Sequence, residues 1–242
     1  MEIWDVYDEN RVLTGRTAVR GEPMNNGDYH LVVDMIYLNR KGELLVQKRA
    51  HQKEIYPDEW KFTGGSAISG ENALDACARE TKEELGFDIE KDKARLLLEY
   101  SQPKSHVIRS VFLVETDVPL SRMTLQKEEV QAARWILPEE LMADAEIYEG
   151  VSNESFFHRV IGELSRLSGE KRVQKGPYRH FKGKEYVVLG IAVHSETLLP
   201  LVVYQAQYGS RGLWVRPVSM WNERILREGV DAPRFQFIGA EP

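Results

Sequence analysis

The chain has 242 residues, 42% of them hydrophobic and 29% charged, the balance of a globular protein long enough for one domain and a smaller second one. A formal net charge of -6 leaves no overall basic footprint for nucleic acid, and no apolar run approaches the roughly 20 residues of a membrane span. A lone cysteine, Cys77, excludes an intrachain disulfide, and the N-terminal MEIWDVYDEN lacks the basic-then-apolar pattern of a signal peptide, so the expected compartment is the cytoplasm.

Residues 2–7 and 11–20 read as short strands joined by the turn chemistry of Asp8-Glu9-Asn10. Residues 21–28 are loop by composition. His30 to Leu38, HLVVDMIYL, is rich in β-branched and apolar residues and reads as a strand. Asn39-Arg40-Lys41-Gly42 turns it back into 43–49, the second strand of a hairpin. A polar loop over 51–58 and the segment Trp60 to Thr63 lead into a glycine loop at Gly64-Gly65. Further strands are expected at 95–102, 106–115 and 130–137. Pro138 suits the first turn of a helix. Asn153 is read as the N-cap of a helix over 154–167, with Phe156, Phe157, Val160, Ile161 and Leu164 as its apolar stripe.

The stretch SGEKRVQKG, 168–176, is short, polar and bounded by glycines, and places the boundary between a domain at 1–170 and a second one at 177–242. There, strands are expected at 178–181, 185–194, 201–208, 212–217 and 235–238, with a short helix at 219–227. Short strands at close spacing imply a small, mostly-β, barrel-like domain.

The chemistry concentrates in 65–87, GSAISGENALDACARETKEELGF. A helix over 72–85 puts Glu80, Glu83 and Glu84 on one face at i, i+3 and i+4. Leu74, Cys77, Ala78, Thr81 and Leu85 form the seam beside it. Like charges so spaced repel, and a divalent cation reverses that sign, because several carboxylates suit Mg²⁺ or Mn²⁺. Arg79 reaches Glu83 at i+4 and orients it. The alternative for a bare acidic run is a solvated face.

The surroundings decide between the two. Gly65, Glu71, Arg79-Glu80, Glu83-Glu84 and Gly86 stand at the spacing of the Nudix box, and the chain from 1 to 167 resembles the Nudix hydrolases. Thr81 departs from the pattern, standing where the family usually has a large aliphatic residue. The resemblance implies an α/β fold, an α/β/α sandwich around a mixed sheet, and Mg²⁺- or Mn²⁺-dependent hydrolysis of a nucleoside diphosphate linked to another moiety. It implies Glu80, Glu83, Glu84 and the Gly64 carbonyl as metal ligands, with Arg79, Glu71, Gly65 and Gly86 bracing the helix and its loop. Glu129, before Trp135, is a candidate general base, with Glu80 its rival. Lys48 and Arg49 match the family's basic residues and would hold phosphate. A small-molecule nucleotide is the implied partner, and a homodimer is common in the family.

Residues 28–65 also resemble isopentenyl diphosphate isomerase, which shares the fold. Gly64 and Ser66 replace its cysteine and histidine, which argues against isomerase chemistry, and His30 is read as structural. A non-catalytic nucleotide-sugar sensor is the alternative from another class, but such sensors lose box glutamates that this chain keeps. The C-terminal segment, with its YRH, VVY and LWVRP blocks, resembles a small bacterial domain of unknown function. Its cluster Arg179, His180, Lys182 and Lys184 reads as a solvated hairpin.

Overall fold

The computed structural model describes residues 2–227 and 229–239. The chain divides into two compact units, one of residues 1–39, 44–136 and 140–160, the other of 40–43, 137–139 and 161–242.

The first unit runs β1 (Ile3–Tyr7), β2 (Leu13–Val19), β3 (His30–Leu38), β4 (Leu44–Arg49), β5 (Trp60–Lys61), β6 (Thr63–Ser66), α1 (Ala73–Leu85), β7 (Arg95–Gln102), β8 (Val107–Glu115) and β9 (Val130–Ile136). Helices α2 (Pro138–Ala143), α3 (Ala145–Ser152) and α4 (Phe157–Arg172) follow. β1 and β2 form a separate hairpin; the others make a seven-stranded sheet ordered β5-β4-β3-β8-β7, with β6 also on β3 and β9 on β4. β3 and β8 are parallel while β4, β6, β7 and β9 pair antiparallel, so the sheet is mixed. β3 lies between these neighbours, and every residue of it except Val32 is buried, which is why it reads as a near-continuous apolar run. The hairpin expected from β3 into β4 is vestigial. The two share the single pair Leu38↔Leu44, because β6 takes the rest of that edge of β3.

α1 begins at a capping box. The Asn72 side chain accepts the N–H groups of Leu74 and Asp75 at 2.9 and 3.0 Å, and the Asp75 carboxylate accepts the Asn72 N–H, satisfying donors that the first turn leaves open. It ends at Gly86, whose φ of 78° is the left-handed cap that glycine adopts freely. Its buried side is Ala76, Cys77, Thr81, Glu84 and Leu85; Ala76 takes the place expected of Ala78. The apolar members join Val33, Met35, Tyr37 and Phe87 in one core cluster. Thr81 fits this core because its hydroxyl is fully used. It donates to the Cys77 carbonyl at 2.6 Å and so accepts from the Tyr37 hydroxyl. Burial pushes the Cys77 thiol up to about 12, leaving it an inert packing residue.

α3 was not expected from the sequence. Asp144 caps it, and Asn153, read as the N-cap of the next helix, is its C-cap. α4 therefore starts at Phe157, and the stripe Phe156, Phe157, Val160, Ile161 and Leu164 is buried as expected. α4 then continues to Arg172 through the first half of the segment read as a linker, and the compact units divide inside it, at 160/161. Ser168 and Gly169 of that segment serve packing, as does Ser165 before it. Ser165 and Ser168 are buried, and a Cβ on Gly169 would stand 2.8 Å from Ile191 Cγ2.

The second unit adds β10 (Gly176–His180), β11 (Glu185–Val193), β12 (Pro200–Ala206), β13 (Leu213–Pro217), α5 (Val218–Trp221), β14 (Arg224–Arg227), β15 (Val230–Pro233) and β16 (Phe235–Phe237). Its sheet is antiparallel and ordered β13-β12-β11-β10-β16. The end strands do not pair, so the sheet is open where a barrel-like closure was expected. Its core is closed by α5, with Trp221 stacked on Phe235 at 3.8 Å and packed by Tyr178 and Tyr204. The helix expected at 219–227 is only this short turn, and β14 takes the remainder. Among the described residues no helix is long and apolar enough to cross a membrane.

Gly150 on α3 sets how closely that helix approaches β5, since a Cβ there would stand 2.2 Å from the Trp60 carbonyl oxygen. Gly150→Ala is expected to lose about 1–3 kcal/mol in urea unfolding, because backbone cannot yield as a side chain does. Gly162→Ala on α4, where a Cβ meets nothing within 4 Å, is expected to gain ~0.5–1 kcal/mol from helix propensity.

Candidate active site

Gly64 and Gly65 lie in β6, not in a loop, paired with Asp34 and Val33 of β3. Their need for glycine is close approach. A Cβ on Gly65 would fall 2.1 Å from Glu80 Oε1, and one on Gly64 2.7 Å from Asp34 Oδ1. The bare strand leaves room for the acidic face of α1, and a cavity of about 500 Å³ opens beside it. Glu80, Glu83, Glu84, Gly64, Gly65, Arg79, Arg49 and Glu129 all line this cavity, so these residues, scattered over the sequence, meet at one place.

Arg79 organises the acidic groups. Its Nε and Nη2 donate to the two Glu71 oxygens at 2.8 and 3.1 Å, Nη2 also to the Ser66 carbonyl at 2.9 Å, and Nη1 to Glu80 at 2.9 Å and Glu83 at 3.0 Å. Glu71 in turn accepts the Ile68 N–H at 3.0 Å, tying the helix to the loop before it. Gly86 lets Thr124 approach the end of α1, where a Cβ would stand 2.8 Å from its backbone. Glu84 is buried and held from β4. Gln47 Nε2 donates to it at 2.7 Å, and the Gln47 oxygen accepts from Thr63 at 3.1 Å. Glu83, by contrast, has half its side chain in solvent.

Burial pushes the Glu80 carboxyl up to about 7; Arg79 opposes the shift, and Glu84 and Glu83 add to it. Burial also raises Glu84, against Lys61 and Gln47. Among the described residues no acidic or imidazole groups are preassembled around one point, since Glu80 and Glu83 share Arg79 instead. The donor set nevertheless fits a hard divalent cation. It offers oxygens on one helical face, and its buried carboxylates carry a desolvation and repulsion cost that a cation relieves.

Basic groups line the same cavity, and most of them were not read from the sequence. Arg20, Lys53, Lys61 and Arg109 line the cavity with Arg49. Arg109 Nη1 donates to Asp34 at 2.6 Å and stands 3.7 Å from Glu154. Burial raises the Asp34 carboxyl, with Arg109 opposing it. The signal was present: Asp34 and Arg109 each interrupt an otherwise apolar strand, and a charge there must be paired to be buried. Arg49 Nε donates to the Ile55 carbonyl at 3.0 Å. Glu129 is engaged by Lys53 at 2.6 Å.

Lys48 is not in the cavity. Successive side chains of β4 point to opposite faces, so Gln47 meets Glu84 while Lys48 pairs with Glu146 at 2.6 Å, its Nζ 5.9 Å above the Trp60 ring. Lys48, expected to hold phosphate, is therefore not among the residues that line the cavity. His30 is also apart from the carboxylates. Its ring is buried and stacked on Trp4 at 3.9 Å, and burial pushes it down to about 4, in accord with a structural role.

The NUDIX domain profile matches residues 28–157, more than half of the chain, and the protein belongs to the Nudix hydrolase family. Residues 176–237 match a second profile, described as a protein of unknown function, DUF1653. An uncharacterised Nudix hydrolase of Listeria monocytogenes is 43% identical over 144 residues, which span 59% of this chain and 84% of that protein. The nucleoside triphosphatase NudI of Escherichia coli is 28% identical over 119 residues, 43% of this chain and 80% of its own. A crystal structure from Deinococcus radiodurans, 23% identical, superposes with a TM-score of 0.54 over 68% of this chain and all of its own length, which supports the fold.

The raised Glu80 carboxyl gives a signed pH dependence. In metal-free protein the folded state holds that proton up to about 7, against 4.5 ordinarily, so stability falls as pH rises through this window and is lowest above it. Thermal melts in chelator from pH 4.5 to 8 should show the fall, and Glu80→Gln should flatten it.

Proposed function

We propose that this protein hydrolyses the pyrophosphate bond of a small nucleotide, a nucleoside di- or triphosphate, a nucleotide sugar or a dinucleotide, by attack of water. The observation that carries the reading is one cavity lined both by the acidic face of α1 and by the cations Arg49, Lys53, Lys61 and Arg109. A polyphosphate bridging the two would meet cations along one side and, through a divalent ion, carboxylates along the other.

Glu80, Glu83, Glu84 and the Gly64 carbonyl would hold Mg²⁺ or Mn²⁺. A bound ion of this kind neutralises phosphate charge and lowers the pKa of water. The chain's own groups do the rest. Arg49 offers a planar fork that matches two phosphate oxygens. Arg79 keeps Glu80 and Glu83 aimed from one helical face, at 2.9 and 3.0 Å. Gln47 orients Glu84 by donating to one of its two oxygens. Glu80 or Glu129 takes the proton of the attacking water, both lying on the cavity wall. The similarity to a nucleoside triphosphatase makes nucleoside triphosphates the first substrates to test.

A hydrolysis panel of nucleoside di- and triphosphates, nucleotide sugars and dinucleotides, with Mg²⁺ or Mn²⁺, tests this against Glu84→Gln. Turnover of one class is expected, reduced about 10²-fold or more in the variant through lost transition-state stabilisation, with the fold retained by circular dichroism. Tight binding without turnover of any substrate would turn the reading to a sensor. The two basic neighbours on β4 separate in the same assay. Arg49→Ala should lower kcat/KM by about 10-fold or more, while Lys48→Ala should leave it within about twofold, as befits an exposed ion pair.

A further inference from the structure

The two edges of the C-terminal sheet differ. β16 is three residues long, whereas β13 exposes Leu213, Trp214 and Val215 at 63%, 58% and 58%. A long apolar edge with free N–H and C=O groups is a template for another strand, and proteins blunt such edges with charges, bulges or covering segments. This protein does so on β7, the edge of the other sheet, which carries Arg95 and Glu99 and a bulge between Leu96 and Leu98. β13 has no bulge. Its register with β12 is regular from Gln205↔Leu213 to Leu201↔Pro217.

The direction of its free groups follows from one bond. The Gly212 carbonyl accepts from Ala206 N–H at 3.1 Å, so Gly212, Trp214 and Arg216 turn their backbone groups to β12. Leu213, Val215 and Pro217 turn theirs outward. We propose that two copies of this chain associate by antiparallel pairing of β13 with β13 about a twofold axis at Val215. Each Val215 then exchanges both hydrogen bonds with its counterpart, and each Leu213 N–H donates to a Pro217 carbonyl. Pro217 has no N–H, so the Leu213 carbonyl opposite it goes unpaired at the end of the ladder; a shift by two residues sets Pro217 against Val215 and gives up the reciprocal Val215 pair as well. The side chains match the same axis. Trp214 stands opposite Arg216 of the partner subunit, in the closer, non-hydrogen-bonded kind of pair, where an indole face and a guanidinium attract. Arg216 has no ion pair among the described residues, and its Nε is buried without an acceptor. The strand's one cation thus meets its one indole, which an unrelated strand would not supply, and the interface is isologous.

Sedimentation of the full chain at micromolar concentration is expected to show a dimer. Val215→Pro removes only an outward N–H, leaving the ladder to β12 intact, and should weaken the dimer about tenfold or more. Val215→Cys places two thiols on Cα atoms about 5.5 Å apart across the axis, within disulfide reach, whereas Leu213→Cys places them about 13 Å apart. Mild oxidation should therefore link Val215→Cys dimers and not Leu213→Cys; the native thiol, Cys77, is fully buried. A monomer at high micromolar concentration would overturn the proposal. So would cross-linking that is no faster for Val215→Cys than for Leu213→Cys, or a folded Val215→Pro variant that dimerises as tightly as the parent.

Discussion

One guanidinium holds the acidic face of α1 in place. α1 carries Glu80, Glu83 and Glu84 on a single face, and Glu80 is largely buried beside a strand of bare glycine. Without a counter-charge that arrangement repels itself and pays for desolvation. Arg79 answers both costs, since one side chain binds Glu71, Glu80, Glu83 and the Ser66 carbonyl. Its rigid fork is what allows so many acceptors to be met at once, and a lysine would satisfy far fewer at fixed angles.

The close approach of α1 to β6 is the second half of the same constraint. Gly64 and Gly65 are flat, paired strand residues, and it is the missing Cβ that admits Glu80 and Asp34. The acidic helix face and basic groups from several elements then line one cavity. Buried charge is tolerated there because each member is engaged. Asp34 has Arg109, Glu84 has Gln47, and Glu129 has Lys53.

The second unit obeys a different economy. With five strands it does not close on itself, and its core depends on a short helix that lays Trp221 flat on Phe235. An open sheet must dispose of its edges. β13, with Leu213, Trp214 and Val215 exposed and no bulge, is where that requirement is met by another strand.

Much of this was legible in the sequence because local rules govern it. Asn72 and Gly86 bracket α1, the glutamate spacing fixes their common face, and the apolar runs of β3 and β8 declare central strands. The family pattern added the grouping of Arg79 with Glu71. Other features were decided only when distant segments met. Gly64-Gly65 looks like a loop until β3 pairs with it, and Ser168-Gly169 looks like the start of a domain boundary until Gly42 and Ile191 pack on it. Lys48 looks like Arg49 until the strand's alternation, together with Glu84 on one side and Glu146 on the other, separates them. Asp34 and Arg109 lie 75 residues apart, and no local pattern announces their pairing. The sequence by itself determined which residues carry the Nudix pattern and share one helical face; the tertiary structure decided which of the chain's charges share that space, because burial and pairing are properties of neighbours and not of order along the chain.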